Sequence, residues 1–180
     1  FREAHDFPEW EAKKPRSKRS ATTGQALHTL TSQGEVRGVD VLLVEPETMM
    51  NNSGKSLLTL VKSKKQAERL VVIYDDIDLP LGKWKFSFNR GSGGHKGIES
   101  LARAIKTKAF VRVRVGVSPN SLFGKMKKPK GDDAGVKFIL GKFTNSELAE
   151  LKKVAKEITQ GLDLLLVKGL DAAMGEWNSR

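Results

Sequence analysis

The sequence lacks cysteine and long apolar runs, and each absence excludes a class of protein. With no cysteine among 180 residues, the chain has neither a disulfide framework nor thiolate chemistry. Its apolar runs, such as residues 162–167 with Asp163 inside, are far shorter than the ~20 residues that span a bilayer. No basic start followed by an apolar stretch marks a signal peptide. We therefore expect a cytoplasmic protein.

Acidic residues are few relative to basic ones. The chain has 32 Lys and Arg against 21 Asp and Glu, a net charge of +11. This excess favours an anionic partner, either nucleic acid or an acidic membrane surface. A lysine-rich surface with no such partner is the alternative, and charge alone does not choose between them. Part of the charge lies in two stretches predicted to be basic surface loops, residues 11–24 and 124–133.

Apolar periodicity predicts alternating strands and helices around one core. Strands are predicted at residues 27–32, with a turn at Gly34, and at 39–47 (central in its sheet), 69–76 (buried), 83–88 and 110–118. Helices are predicted after caps at residues 51–53, and over 95–107, 146–167 and 169–178. This order predicts an α/β fold in which residues 1–180 form a single three-layer domain, a mixed twisted sheet with helices on both faces.

Three acids end the strand predicted at residues 69–76. Asp75, Asp76 and Asp78 lie where ligands bind in open α/β sheets, at the carboxyl end of a strand. One of them could hold a histidine in a single tautomer and stabilise its charged form. Together they could bind a divalent metal, or they could simply face solvent in a turn.

Other polar segments also leave alternatives open. The glycine-rich loop before Lys96 could bind phosphate at a helix N-terminus, or form a tight turn capped by His95. Asn51 could cap a helix, or hold a peptide carbonyl or a tRNA sugar. Arg112 and Arg114 could neutralise phosphates, or lie on a solvated sheet face.

No serine has the sequence context of a catalytic nucleophile. The three histidines are His5, His28 and His95. A histidine that acts on water and is held by an aspartate is the more natural scheme for this chain.

Together these segments resemble bacterial-type peptidyl-tRNA hydrolases. The similar stretches are PETMMNNSGKS, YDDIDLPLGK, GSGGHKGIES, VRVRVGV, KFILGKF and AMGEWN, and their order and spacing agree without a gap from Met50 to Val117. The resemblance implies hydrolysis of the ester between a peptide and the 3′ ribose of tRNA, without metal or cofactor. It also implies that peptidyl-tRNA is the partner, and we expect a monomer without a membrane partner.

The resemblance also implies roles for individual residues. Asp75 would orient the histidine base, and Asn51 would hold the substrate. The remaining candidates are tRNA or substrate contacts: Met49, His95, Lys96 and Arg114.

Two departures from the family pattern bear on activity. The family's Gly-Leu-Gly-Asn-Pro-Gly strand and its Thr-Arg-His-Asn-x-Gly segment, which carries the base, do not occur in this sequence. His5 lies between Ala4 and Asp6 and does not match that base. Lys96 stands where the family has an asparagine, and a lysine donates hydrogen bonds but cannot accept them. We therefore expect an N-terminally incomplete hydrolase without its base, which leaves the activity of this chain open.

Two other functions remain as alternatives. One is a tRNA- or RNA-binding module without catalysis, built on the second basic loop, Arg112, Arg114 and Lys96. The other is a metal-dependent phosphohydrolase built on the three acids that follow the predicted strand.

Overall fold

A computed structural model describes residues 1–12, 29–119 and 141–180. These residues form two compact units. The first comprises Phe1–Leu70 and Phe88–Phe110, and the second comprises Val71–Ser87 and Val111–Arg180. The single-domain organisation stays a prediction. Most of the first predicted basic loop and all of the second lie outside the described residues.

The first unit contains an antiparallel sheet and short helices. Its strands are β1 (Glu11–Ala12), β2 (Thr29–Val36) and β3 (Val39–Pro46), in the order β1-β2-β3. Two 3₁₀ helices, η1 (Glu3–His5) and η2 (Met50–Leu57), and two α-helices, α1 (Lys64–Glu68) and α2 (Lys96–Ile105), complete it. Glu11 and Ala12 pair with β2, so the first two residues of the predicted loop 11–24 form a strand instead.

The hairpin between β2 and β3 differs from the prediction. Val36 pairs with Val39, so the turn lies at Arg37 and Gly38, both of which have positive φ. This two-residue loop is typical of hairpins, whose strands twist in the same sense as the turn. Gly34, the predicted turn, lies inside β2, where an added Cβ would lie 3.1 Å from the Phe7 ring. The glycine was therefore misread, because it accommodates an aromatic ring and does not bend the chain.

The central position predicted for β3 is also wrong for the described residues. Its hydrogen-bonded ladder there is with β2 alone. None of its residues is fully buried, and Leu42 is 44% exposed. A near-continuous apolar run is compatible with several strand positions, so it could not fix this one.

The second unit contains a mixed sheet and two helices. Its elements are β4 (Val71–Pro80), β5 (Trp84–Phe88), β6 (Val111–Ser118), α3 (Asn145–Lys168) and α4 (Leu170–Trp177), with strand order β4-β6-β5. β4 and β6 are parallel. β5 enters antiparallel to β6, because the bond from Leu81 N–H to the Ser118 carbonyl is followed by one from Gly116 N–H to the Lys83 carbonyl. The α/β class with a mixed sheet is confirmed.

Aromatic side chains from β5 pack against the helices of this unit. Trp84 and Phe86 are buried. The sequence, in which Trp84, Phe86 and Phe88 alternate with Lys85 and Ser87, predicts one buried face, but Phe88 is 38% exposed and Ser87 is buried, so this alternation fails at the end of the strand. An added Cβ at Gly161 of α3 would lie 2.5 Å from the Trp84 ring, so the glycine lets the helix approach closely. The Trp84 indole N–H donates to Glu157 at 3.0 Å, and its ring lies 5.2 Å from that of Trp177. β4 is less buried than predicted, with Ile73 52% exposed.

The long helix α3 begins at Asn145, one residue before the predicted range 146–167, and Thr144 is its N-cap. Its hydroxyl accepts a hydrogen bond from Glu147 N–H, and the Glu147 carboxylate accepts one from Thr144 N–H at 2.7 Å. The bond from Thr144 N–H, and after it the bond that the Thr144 hydroxyl donates to the same carboxylate at 2.9 Å, lower the pKa of Glu147. No helix in the described part of the chain is both long and apolar enough to cross a bilayer.

Candidate active site

The predicted site residues fall in both units. Those of the first unit are Met49, Asn51, His95 and Lys96, and those of the second unit are Asp75 and Arg114.

In the first unit, η2 and α2 approach each other closely. Gly54 N–H donates to the Ser100 hydroxyl at 3.0 Å. A Cβ at Gly54 would collide with the Ser100 carbonyl and lie 2.8 Å from Ala104 Cβ. Because glycine permits this contact, η2 packs directly on α2, and both helices belong to the first unit.

The start of η2 presents its side chains to solvent. Met49 is 77% exposed, and Asn51 is exposed as well. The helix-cap interpretation of residues 51–53 is wrong, because the N-cap is Met49 and no side chain caps the helix. The Asn51 amide is therefore not used for capping.

Met50, at the start of η2, packs against Gly97 in the first turn of α2. A Cβ at Gly97 would lie 2.6 Å from the Met50 sulfur and 2.9 Å from His95 Cε1. The structure thus places Met50, next to Met49 and Asn51, close to His95 at the start of α2.

His95 is the N-cap of α2. Its Nδ1 accepts hydrogen bonds from Gly97 N–H at 3.1 Å and Ile98 N–H at 3.3 Å. This pattern assigns the proton of the neutral ring to Nε2, so the ring presents a donor. The capping interpretation is confirmed, and in this tautomer His95 is unsuited to act as a base.

Lys96 follows the cap with its side chain 72% exposed. Its ammonium group lies 3.7 Å from the Glu99 carboxylate, which also accepts a hydrogen bond from Ser92 at 3.2 Å. The lysine is therefore a cation at the surface, loosely paired within its own helix.

In the second unit, β4 places Asp75 and Asp76 on opposite faces of the sheet. Successive strand residues point to opposite sides. Asp76 pairs with Gly116 and Tyr74 with Arg114, so Tyr74, Asp76 and Arg114 share one face, whereas Asp75 pairs with Val115 on the other.

The shared face contains an ion pair that sequence reasoning did not identify. Arg114 Nε donates to Asp76 Oδ2 at 2.6 Å, with side-chain exposures of 20% and 11%. The other Asp76 oxygen accepts from Asp78 N–H at 2.8 Å. The acid was considered only as a metal ligand, although strand parity and the opposite charge of Arg114 could have indicated the pair.

Burial and charge shift two pKa values in this cluster. Burial raises the pKa of Tyr74, the charge of Asp76 raises it further, and Arg112 and Arg114 act in the opposite direction. Burial acts to lower the pKa of Arg114, but the hydrogen bond and charge of Asp76 outweigh it, and the pKa is raised.

Arg112 lies on the same face but is 1% exposed. The interpretation of Arg112 as a phosphate contact is wrong, because a fully buried guanidinium cannot reach a nucleic acid at the surface. Alternation along β6 correctly placed both arginines on one side, but it could not indicate whether that side faces solvent.

In the described residues, no cluster of metal-ligating side chains supports the metal-site hypothesis. Asp75, Asp76 and Asp78 do not form a group that could hold a cation, and none was found elsewhere in residues 1–12, 29–119 and 141–180. The reason is geometric, because Asp75 points away from Asp76, and Asp76 is bound to Arg114.

The chain is similar in sequence to known proteins over most of its length. Residues 10–180 match the family described as peptidyl-tRNA hydrolase. A peptidyl-tRNA hydrolase from Syntrophotalea carbinolica is 36% identical over 157 residues, which cover 87% of this chain and 78% of that protein. One from Thermotoga maritima is 36% identical over 143 residues, covering 79% and 72%.

The fold is similar to that of solved structures. The crystal structure of peptidyl-tRNA hydrolase from Acinetobacter baumannii superimposes with a TM-score of 0.78 over 99% of this chain and 80% of that one, at 22% identity. At this identity the likeness concerns the fold alone. The sequence matches carry the assignment, and the chain belongs to the peptidyl-tRNA hydrolase family.

Proposed function

We propose that the protein hydrolyses the ester bond of peptidyl-tRNA and releases a free peptide and a free tRNA. The observation that carries this proposal is the family match over residues 10–180, which contains every predicted site residue. The relatives of 36% identity support it.

The proposed chemistry is attack of water on the ester carbonyl. A histidine takes a proton from the water, the water oxygen bonds to the carbonyl carbon, and the 3′ ribose oxygen leaves with a proton. Asp75 holds that histidine in one tautomer and stabilises its charged form. The Asn51 amide donates to the substrate, and the exposed Met49 side chain contacts the tRNA.

Two cations complete the proposed site. Lys96 replaces an amide that could both donate and accept, so it supplies only donors to a carbonyl or phosphate oxygen. Arg114 contacts a phosphate while its Nε is held by Asp76. We also propose that the enzyme is a cytoplasmic monomer that needs no metal or cofactor.

Replacing Asp75 by asparagine tests the assignment of the orienting acid. The amide has similar size but stabilises the wrong tautomer, so if this chain hydrolyses N-acetyl-aminoacyl-tRNA through a histidine held by Asp75, the rate should fall by about 10³ to 10⁴. Asp171→Asn on the exposed face of α4 is the matched control and should retain the parent rate. Equal rates in both variants would contradict the role of Asp75.

The rate of peptidyl-tRNA hydrolysis by the 180-residue chain tests the expectation that it lacks a base histidine. Slow hydrolysis would support this expectation. Rapid hydrolysis that is abolished by His5→Ala would contradict it. Tight, salt-sensitive tRNA binding without any turnover would support the RNA-binding alternative.

A further inference from the structure

A group of cations on α1 takes no part in the proposed site. We define the α1 basic surface as Lys62, Lys64, Lys65 and Arg69, all of which are exposed. Glu68 is the one acid within residues 62–69. Because four cations lie within eight residues, this short stretch is a local centre of positive charge.

The local structure fixes how these cations point. Ser63 caps α1 by accepting a hydrogen bond from Gln66 N–H at 3.2 Å, and the Gln66 side chain accepts one from Lys62 N–H at 2.8 Å. Ala67 is completely buried and anchors the helix. At 100° per residue, Lys65 and Arg69 lie on the side opposite Ala67. The anchored helix therefore directs these two cations outward.

The cations of the α1 basic surface have no ion pair among the described residues. Other exposed cations of the same chain do, as shown by Lys96 with Glu99, Lys153 with Glu150, and Arg180 with Glu176. Ammonium and guanidinium groups without an ion pair are free to neutralise phosphates of a nucleic acid. Each phosphate neutralised releases counterions condensed on the nucleic acid, which makes binding depend on salt.

The α1 basic surface is joined to the candidate site by η2. The α1 basic surface and the Met49–Asn51 part of the candidate site belong to the first unit. Asn51 lies at the start of η2, and the α1 basic surface follows the end of this helix at Leu57, which is about 12 Å further along the helix axis. A tRNA is long enough to contact both, because its phosphate backbone runs from the 3′ end into the body of the molecule.

From these observations we infer that the α1 basic surface binds phosphate groups of the tRNA body, away from the ester that is cleaved. This inference rests on the proposed function for the identity of the polyanion. It gives the enzyme a second contact with its substrate, one that acts on binding and leaves the chemical step unchanged.

The salt dependence of tRNA binding by the 180-residue chain tests this inference. In Lys65→Gln/Arg69→Gln, the slope of log K against log salt should become shallower by about 1.5 to 2, because each lost phosphate contact removes close to one unit. The matched control is Lys152→Gln/Lys156→Gln, which removes the same charge from exposed positions on α3. The control should keep the parent slope. If the slope changed equally in both variants, the effect would come from the net charge of the protein alone, and the inference would be wrong.

Substrates of two lengths separate the inference from the proposed function. For intact peptidyl-tRNA, the α1 variant should raise KM about tenfold without changing kcat. For a peptidyl ester of a CCA trinucleotide, neither constant should change. If the parent hydrolyses neither substrate, the proposed function fails, and the salt slope with free tRNA still decides the inference. If the variant loses binding to phosphatidylserine vesicles but keeps the parent slope with tRNA, the surface binds membranes and the inference is wrong.

Discussion

Asp75 and Asp76 are adjacent, identical side chains with different surroundings. Strand parity turns Asp76 towards Arg114, where the two charges form a mostly buried pair, and turns Asp75 to the other side of the sheet. The site prediction from the sequence located the acid cluster but did not assign Asp76. Strand parity and the opposite charge of Arg114, 38 residues further along the chain, could have indicated the pair.

Removing the charge of Asp76 should destabilise the protein. In Asp76→Asn, the Arg114 guanidinium loses its charged acceptor while it remains mostly buried, and we expect a loss of about 2 kcal/mol in the free energy of unfolding. Urea denaturation measures this loss. The double variant Asp76→Asn/Arg114→Gln should lose less than the sum of the two single losses. Strict additivity would show that the pair contributes no coupling energy.

The ionisation of Tyr74 can be followed directly, because it is the only tyrosine in the chain. Burial and the charge of Asp76 raise its pKa above 10.0, so phenolate absorbance of the folded protein should have its midpoint above that of the protein in urea. The folded state keeps the proton after the unfolded state has lost it. Stability from this group is therefore complete below pH 10 and decreases as the pH rises through the folded pKa.

The variant Tyr74→Phe provides the control for that pH dependence. The difference in free energy of unfolding between parent and variant should be constant between about pH 7 and about pH 9 and should change above it. A midpoint equal in the folded and urea-unfolded protein would contradict the burial effect.

At the scale of elements, periodicity predicted most of the structure. The long helix was predicted at 146–167 and extends over Asn145–Lys168, and the strand predicted at 83–88 is β5, Trp84–Phe88. The prediction failed where tertiary contacts decide. Gly34 looks like a turn residue but accommodates Phe7. Asn51 looks like a cap, but η2 packs on α2 through Gly54 and needs no side-chain cap.

A methyl group at Gly54 should separate η2 from α2. The added Cβ of Gly54→Ala would collide with the backbone of Ser100, which cannot rotate away as a side chain would. We expect a loss of about 1 to 3 kcal/mol in the free energy of unfolding. Gly175→Ala in α4 is the matched control, since nothing lies within 4 Å of its added Cβ. It should be neutral or stabilising by up to about 1 kcal/mol.

At the scale of the whole molecule, the α/β class could be predicted, but the division into two compact units could not. The order of elements predicts the class. Each unit, however, consists of two separate segments of the chain, because the chain enters the second unit at Val71, leaves it after Ser87 and returns at Val111. Such a division depends on long-range contacts, which local periodicity does not contain.

The Asn178 side chain, just after α4, links this helix to strand β5 of the second unit. Asn178 accepts a hydrogen bond from Phe86 N–H at 2.8 Å and donates one to the Phe86 carbonyl at 3.0 Å, across 92 residues of sequence. Asn178→Ala should therefore lose about 2 kcal/mol in the free energy of unfolding, because both backbone groups lose their partner. Asn178→Asp keeps an acceptor but no donor and should lose an intermediate amount.

Ser179→Ala is the control for the Asn178 variants. Within the described parts of the chain, its hydroxyl donates to the carbonyls of Gly175 and Glu176, in the last turn of the adjacent helix. Thermal and urea unfolding should leave this variant within about 0.5 kcal/mol of the parent. If Asn178→Ala behaves in the same way, the link to β5 has no energetic importance.

The adjacent aspartates Asp75 and Asp76 also bear on how the register between β4 and β6 is selected during folding. A slip by one residue turns every side chain to the other face, and Asp75 would then meet Arg114 in place of Asp76. The two carboxylates are identical, so the ion pair cannot distinguish the native alignment from its neighbour. Gly116 can, because a Cβ at its position would collide with the Pro80 carbonyl, and a slip would bring a valine there. A residue without a side chain thus selects which of the two aspartates pairs with Arg114.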